Sequence, residues 1–219
     1  MRAISNLAVS ADYRPNILQA KALPLAVSML RNAQLQGSGS HTFAVLCHAA
    51  RAIGNLCAGG EIAAAMQQKA AAEGSIAVLL PLLSREREHH EDMQKAGVAH
   101  RLSQSMDELL RETVRALAKL SALRQNQRPL VESEQLHLIV KLMGSSETSL
   151  GVKAECLELL GHLADVPQVA RTSGAIPCAI PCAILRNYSD GPPRRRAAVP
   201  AHPRVRRHPP PVDRAAQAP

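Results

Sequence analysis

The sequence predicts an all-α protein built from stacked helical repeats, and three observations carry that expectation. A seven-residue phrase recurs as Arg2-Ala3-Ile4-Ser5-Asn6-Leu7-Ala8, Arg51-Ala52-Ile53-Gly54-Asn55-Leu56-Cys57 and Arg115-Ala116-Leu117-Ala118-Lys119-Leu120-Ser121. A fourth copy, Glu158-Leu159-Leu160-Gly161-His162-Leu163-Ala164, keeps the apolar positions and changes the polar ones. Self-similarity at intervals of a few dozen residues marks a repeat architecture. Apolar residues make up 46% of the 219-residue chain, yet it holds one Phe, two Tyr and no Trp. That composition suits closely packed helices better than strands, which favour aromatic and β-branched residues. Finally, each phrase ends a stretch whose apolar residues recur at helical spacing.

In chain order, the first phrase stands directly after Met1, so the helices expected before it are missing from its unit. The next element, Gln19-Ala20-Lys21-Ala22-Leu23-Pro24-Leu25, reads as a short link followed by an apolar helix ending in Val27-Ser28-Met29-Leu30. Asn32–Ser40, rich in Gln, Gly and Ser, reads as a loop. His41–Cys57 then forms an amphipathic helix with Val45, Ala49, Ala52, Ile53 and Leu56 on one stripe. A second link, Ala72-Glu73-Gly74-Ser75-Ile76-Ala77, places glycine where a helix ends and the chain must turn. The helix after it ends in Val78-Leu79-Leu80-Pro81-Leu82-Leu83.

A third link, Lys95-Ala96-Gly97-Val98-Ala99, follows the charged run Arg85–Asp92 and reads as a degenerate repeat or a charged insertion. Thr113–Leu123 repeats the stripe with Val114, Leu117, Ala118 and Leu120. Glu132-Ser133-Glu134-Gln135-Leu136 occupies the link position without a glycine, and Leu138–Met143 is its apolar helix. Ser75 and Ser133 are read as helix caps. Glu147–Leu163 carries the stripe once more through Val152, Cys156, Leu159, Leu160 and Leu163. Thr172-Ser173-Gly174-Ala175-Ile176-Pro177 opens a further unit that dissolves into Pro/Arg-rich sequence. Phrase spacings of 49, 64 and 43 residues are irregular beside the roughly 40 usual for such repeats.

The unit so assembled is a short helix, a Gly-containing turn, a second helix and a long third helix closing in the phrase. It resembles the armadillo repeat family, clearest over Ala122–Ala164 and extending over about residues 1–185. The Gly turn and the Asn6 and Asn55 of the closing phrase favour armadillo over HEAT repeats. The resemblance implies an irregular α-solenoid, a right-handed superhelix of three-helix repeats, over residues 1–186, while the composition of 187–219 reads as a disordered Pro/Arg-rich tail. It further implies that the third helices line a concave groove that holds an extended peptide, with the Asn position hydrogen-bonding the peptide backbone.

Charge is unevenly placed. Of the formal +8, a balance of +6 lies from Arg186 onward, where eight Arg face two Asp. Eight of the fifteen prolines fall there too. Such a tail could meet nucleic acid or an anionic surface electrostatically, but it lacks aromatics for stacking on bases, and Pro-rich disorder is the plainer reading. Five cysteines in no framework spacing fit free thiols in cytosol or nucleus. No apolar run reaches transmembrane length.

Residues four apart share a helix face, so Arg51 pairs with Asn55, Arg115 with Lys119, and Arg2 with Asn6. With His48, Glu158 and His162 these are the candidate groove residues. Import receptors of the armadillo family place Trp at the position occupied here by Arg and line the groove with acid. Arg51, Arg115 and Lys119 would instead favour carboxylates or phosphates on a protein partner. The same arginines could equally lay their stems over the core with their charges in water. Cys47-His48 with Cys57, His89-His90 with Glu91, and Cys178 with Cys182 contain metal-ligating types but no four-ligand spacing. Glycine-loop, G-x-S-x-G and H-E-x-x-H signatures are absent, so neither cofactor nor enzymatic activity is expected. A non-catalytic scaffold for an extended, acidic protein segment is the reading; action through the basic tail, or a piece of a longer array, are its alternatives.

Overall fold

A computed structural model of the chain describes residues 1–36, 40–85, 99–133 and 135–164. Among these residues the architecture is helical throughout, without strands. Arg2–Leu7 forms α1, a 3₁₀ turn spans Ala11–Tyr13, and Arg14–Gln19 and Ala22–Leu35 form α2 and α3. Ser40–Cys57 is α4, followed by α5 (Ala63–Ala72), α6 (Ser75–Leu79) and a 3₁₀ turn at Leu80–Leu83. The longest helix, α7, spans Ala99–Ser121. A 3₁₀ turn at Arg124–Asn126 leads into α8 (Gln127–Val131), then α9 (Leu136–Gly144) and α10 (Leu150–Leu163).

All four phrases close or constitute helices, and those helices lie side by side. α1 packs on α4, α4 on α7 and α7 on α10, while α3, α5 and α6 fill in behind α4 and α7. The reason is the stripe: Ala49, Ala52, Ile53 and Leu56 on α4, Val114, Leu117, Ala118 and Leu120 on α7, and Val152, Cys156, Leu159 and Leu163 on α10 are all sealed from solvent. They belong to one continuous core built almost wholly from Leu, Ala, Val and Ile. Burial of such side chains contributes roughly 1.5–3 kcal/mol each. Small residues let the helices close up. A Cβ added to Gly54 would stand 3.4 Å from the Ala116 Cα, so α4 and α7 meet nearly backbone to backbone.

The links behave as turns. Gly74 takes a left-handed conformation, φ 82°, at the entry to α6. Lys21, at the matching place of the first link, adopts φ 56°. That conformation costs a non-glycine residue about 1–2 kcal/mol, and Ala22 and Leu23 directly beyond it are buried. Gly97 and Glu134 lie outside the described residues.

Several details depart from the sequence expectation. α3 continues through Asn32–Leu35 and α4 begins at Ser40, so both ends of the loop expected over Asn32–Ser40 are helical, and residues 37–39 lie outside the described residues. α7 begins fourteen residues ahead of the expected Thr113. Neither Ser75 nor Ser133 caps the helix after it. Ser75 is the first residue of α6, buried with its hydroxyl unbonded, and Ser133 Oγ turns back to donate to the Leu130 carbonyl at 2.7 Å. The true cap is Ser149, whose Oγ accepts from the Val152 amide at the start of α10. The charged run after Arg85, the Lys95–Ala99 link apart from Ala99 itself, the unit opening at Thr172 and the boundary at residue 186 lie outside the described residues.

One recurring contact was not expected. The carbonyl of the last residue of each of the first three phrases accepts a hydrogen bond from a buried side chain: Ala8 from Arg14 Nε at 2.9 Å, Cys57 from Gln67 Nε2 at 3.0 Å, and Ser121 from Gln127 Nε2 at 2.9 Å. Arg14 also donates to Val9, Ala58 and Gly59 carbonyls, and Asn126 Nδ2 to Gln67 and Leu120 carbonyls. Orphan carbonyls at the helix ends thereby find partners, and adjacent units are tied together.

Substitution at Gly54 tests the close approach of α4 and α7. Gly54→Ala adds a methyl at ordinary contact distance and gains helix propensity, so it is expected to be tolerated. Gly54→Leu is expected to lower stability by about 1–3 kcal/mol, read as a fall in the urea midpoint.

Candidate functional site

The helical repeat of 3.6 residues brings Glu108, Glu112, Arg115 and Lys119 onto one face of α7, between α4 and α10. Glu112 is the centre of this face, a carboxylate only 2% exposed. Arg51 Nε reaches it from α4 at 3.1 Å, Arg111 Nη2 lies at 3.4 Å and Arg115 Nη1 at 3.6 Å. Arg51 also pairs with Glu108. The stem of Arg111 runs over the start of α10, where a Cβ on Gly151 would fall 3.3 Å from the arginine Cδ. A buried carboxylate is tolerable only when paired, and here several guanidiniums serve one acid.

Asn55 departs from the expectation of a side chain presented to a partner. It is 3% exposed, its Nδ2 donates to the Ser5 carbonyl of α1 at 2.8 Å, and its Oδ1 accepts from Arg115 Nη2 at 3.1 Å. It is an internal brace across three helices. Asn6 and Arg2, at the equivalent places of the first phrase, are exposed. Lys119 extends to Glu158 on α10. His162 Nδ1 lies 3.0 Å from both Ser121 Oγ and the Ala118 carbonyl; since a carbonyl only accepts, Nδ1 is the donor.

His48 lies half-buried on α4 with its Nδ1 sealed and without a hydrogen bond. Burial first, then the Arg51 and Arg2 guanidiniums, push its pKa below the ordinary 6.5, with Glu108 opposing. Glu155, beside Glu158, is pushed up by burial and by that neighbouring acid. The row therefore carries both signs. Arg2, Arg51, Arg111, Arg115 and Lys119 are interleaved with Glu108, Glu112, Glu155 and Glu158, and basic character gives way to acidic toward α10. The expected cationic groove becomes a ladder of paired charges. The acidic residues Glu108 and Glu112 escaped the sequence reading because they precede the phrase by two turns and one turn; Glu155 matches Glu112 before the fourth phrase, and nothing acidic matches Glu108.

The remaining chemistry is muted. Cys47, Cys57 and Cys156 are buried free thiols whose pKa burial pushes up to about 12, so they are not nucleophiles at neutral pH. Among the described residues no group of three His, Cys, Asp or Glu could hold a metal, and no helix is long and apolar enough to cross a membrane. His89, His90, Glu91, Cys178 and Cys182 lie outside the described residues.

Two substitutions separate the inner from the outer rungs. Glu112→Gln is expected to cost about 2 kcal/mol, below the value for a fully buried pair because Arg51 and Arg115 keep some access to water. Lys119→Ala is expected to cost less than about 1 kcal/mol. Chemical denaturation of both variants against wild type measures the contrast.

A pH dependence follows from His48. Its folded pKa is lower than its unfolded one, so its contribution to stability is present above about pH 6.5 and is lost as pH falls through the folded value. His48→Gln is expected to lose less stability than wild type between pH 7.5 and pH 5, measured by urea midpoints at the two pH values.

Comparison with known protein families and with curated proteins finds no match for this chain.

Proposed function

We propose that the chain is a non-catalytic protein-interaction scaffold of armadillo type, whose docking face is the row formed by α4, α7 and α10. The observation that carries this reading is the placement of the phrase's polar residues. Arg51, Arg115, Lys119 and His162 come from successive copies, fall on adjacent helices and remain part-exposed. A row built by repetition suits a partner that is itself extended. The left-handed turns at Lys21 and Gly74 and the sealed stripes are further support for the family resemblance.

The in-chain carboxylates sharpen what such a partner would offer. Arg51 is largely satisfied by Glu108 and Glu112, so the donors open to a ligand belong to Arg111 and Arg115, whose side chains are 46% and 35% exposed. An acidic segment would therefore seat over α7, with its less acidic end toward Glu155 and Glu158. Cytosol or nucleus suits a scaffold with reduced cysteines.

Fluorescence anisotropy with labelled oligo-glutamate and oligo-lysine peptides tests this. Wild type is expected to prefer oligo-glutamate, and Arg111→Ala with Arg115→Ala to weaken it about tenfold, the equivalent of about 1.4 kcal/mol; both arginines also serve the buried Glu112, so circular dichroism checks that the folded state is kept. No preference, or an equal loss for both peptides, overturns the acidic specificity. Because most of the net charge lies from Arg186 onward, an oligonucleotide serves as the control. Binding that falls steeply with salt and ignores the double substitution would place the activity in the tail.

A further inference from the structure

The joint between α4 and α7 and the joint between α7 and α10 have matching places. Arg51 opens the phrase on α4 as Arg115 does on α7, and Glu112 stands three residues ahead of the phrase on α7 as Glu155 does on α10. In the first joint the matching pair is made, with Arg51 Nε 3.1 Å from Glu112. In the second it is not. Arg115 turns back instead, its Nη1 3.6 Å from Glu112 and its Nη2 3.1 Å from Asn55 Oδ1. Lys119, the next base along α7, goes to Glu158. Glu155 is left part-buried, and among the described residues its side chain has no ion pair or hydrogen bond. It lies on the side of α10 that meets α7: Glu158 and His162, one and two turns on, reach Lys119 and Ser121. The bases whose charge bears on Glu155 are Arg115 and Lys119. What leaves it without a cation is the direction Arg115 takes inside the fold.

A part-buried carboxylate is held at a cost until a cation or a donor meets it. We infer that the extended partner of this row is of mixed charge: its acidic residues lie over Arg111 and Arg115, and a lysine or arginine that follows them pairs with Glu155. The inference rests on the scaffold reading above and narrows its partner. Charge complementarity carries it, because α7 offers part-exposed guanidiniums and α10, one helix on, offers an acid that the fold leaves unmet. The spacing of the partner's charges follows from the row. Packed helix axes stand about 8–10 Å apart and an extended chain advances about 3.4 Å per residue, so the base follows the last acid by two or three positions.

Fluorescence anisotropy of the full 219-residue chain tests the pairing with labelled Glu-Glu-Glu-Glu-Gly-Lys and its twin Glu-Glu-Glu-Glu-Gly-Gln, each also made with a second glycine. Combined with Glu155→Gln, the peptides form a double-substitution cycle. Wild type is expected to bind the better lysine peptide about threefold more tightly than its glutamine twin, the range of a part-exposed ion pair. Attraction of net charge to the guanidiniums alone would favour the glutamine twin. Glu155→Gln is expected to erase the lysine advantage and to hold the glutamine peptide more tightly than wild type does, since a repelling charge is gone. No lysine advantage in wild type, or one that survives Glu155→Gln, overturns the pairing and leaves the acidic-partner reading standing. Failure of wild type to bind any of the four peptides overturns both. The urea midpoint supplies an arm that needs no partner. Glu155→Gln is expected to keep or raise it, because the fold provides that charge with no counterpart. A lowered midpoint would show that Glu155 is already paired within the chain, and would overturn the inference.

Discussion

A single carboxylate, that of Glu112, fixes the relation of the helices around it. It sits 2% exposed on α7, met by Arg51 from α4 and by Arg111 and Arg115 from its own helix. Arg115, held there, gives a hydrogen to Asn55, and Asn55 gives one to the Ser5 carbonyl of α1. The polar chain thus runs from α7 through α4 to α1 without a break. Apolar packing supplies most of the stabilisation, but Leu and Ala stripes tolerate sliding. A buried charge does not, because any shift that separates it from its partners leaves it unsolvated. The hub therefore acts on register, and the stripes on cohesion.

The same chain of bonds changes the meaning of the basic positions. Arginines four residues ahead of an Asn on a solvent-facing helix could serve a ligand or the fold, and Arg51 serves the fold. Under the proposed reading, a partner would meet the outward surface of Arg111 and Arg115 and the alternation of sign along the row, and would compete with, or add to, pairs already made, which favours specificity over raw affinity.

Much of the fold was legible because it is periodic. The stripe positions on α4, α7 and α10, the turn at Gly74 and the equivalence of Lys21 to it all follow from the repeated pattern. The caps were not legible, since Ser75 and Ser133 satisfy the capping preference in composition while the chain places them elsewhere. Asn6 and Asn55 show the deeper limit. They occupy the same position of the same phrase, yet one is exposed and the other sealed, because burial is set by whether a neighbouring helix stands behind. Glu112 was missed for a related reason: it lies one turn ahead of the phrase, outside the letters that recur, and its match Glu155 is only part-buried. The tail, which dominates the charge of the sequence, lies outside the described residues.

The side chains of Arg14, Gln67 and Gln127 grip main-chain oxygens rather than side chains. The residue supplying that oxygen is accordingly released from any chemical requirement beyond fitting its space, and Ala8, Cys57 and Ser121 fill the place with three different side chains. Substitutions there leave the grip intact. A repeat tied together in this way can drift in sequence, copy by copy, while its units stay in step.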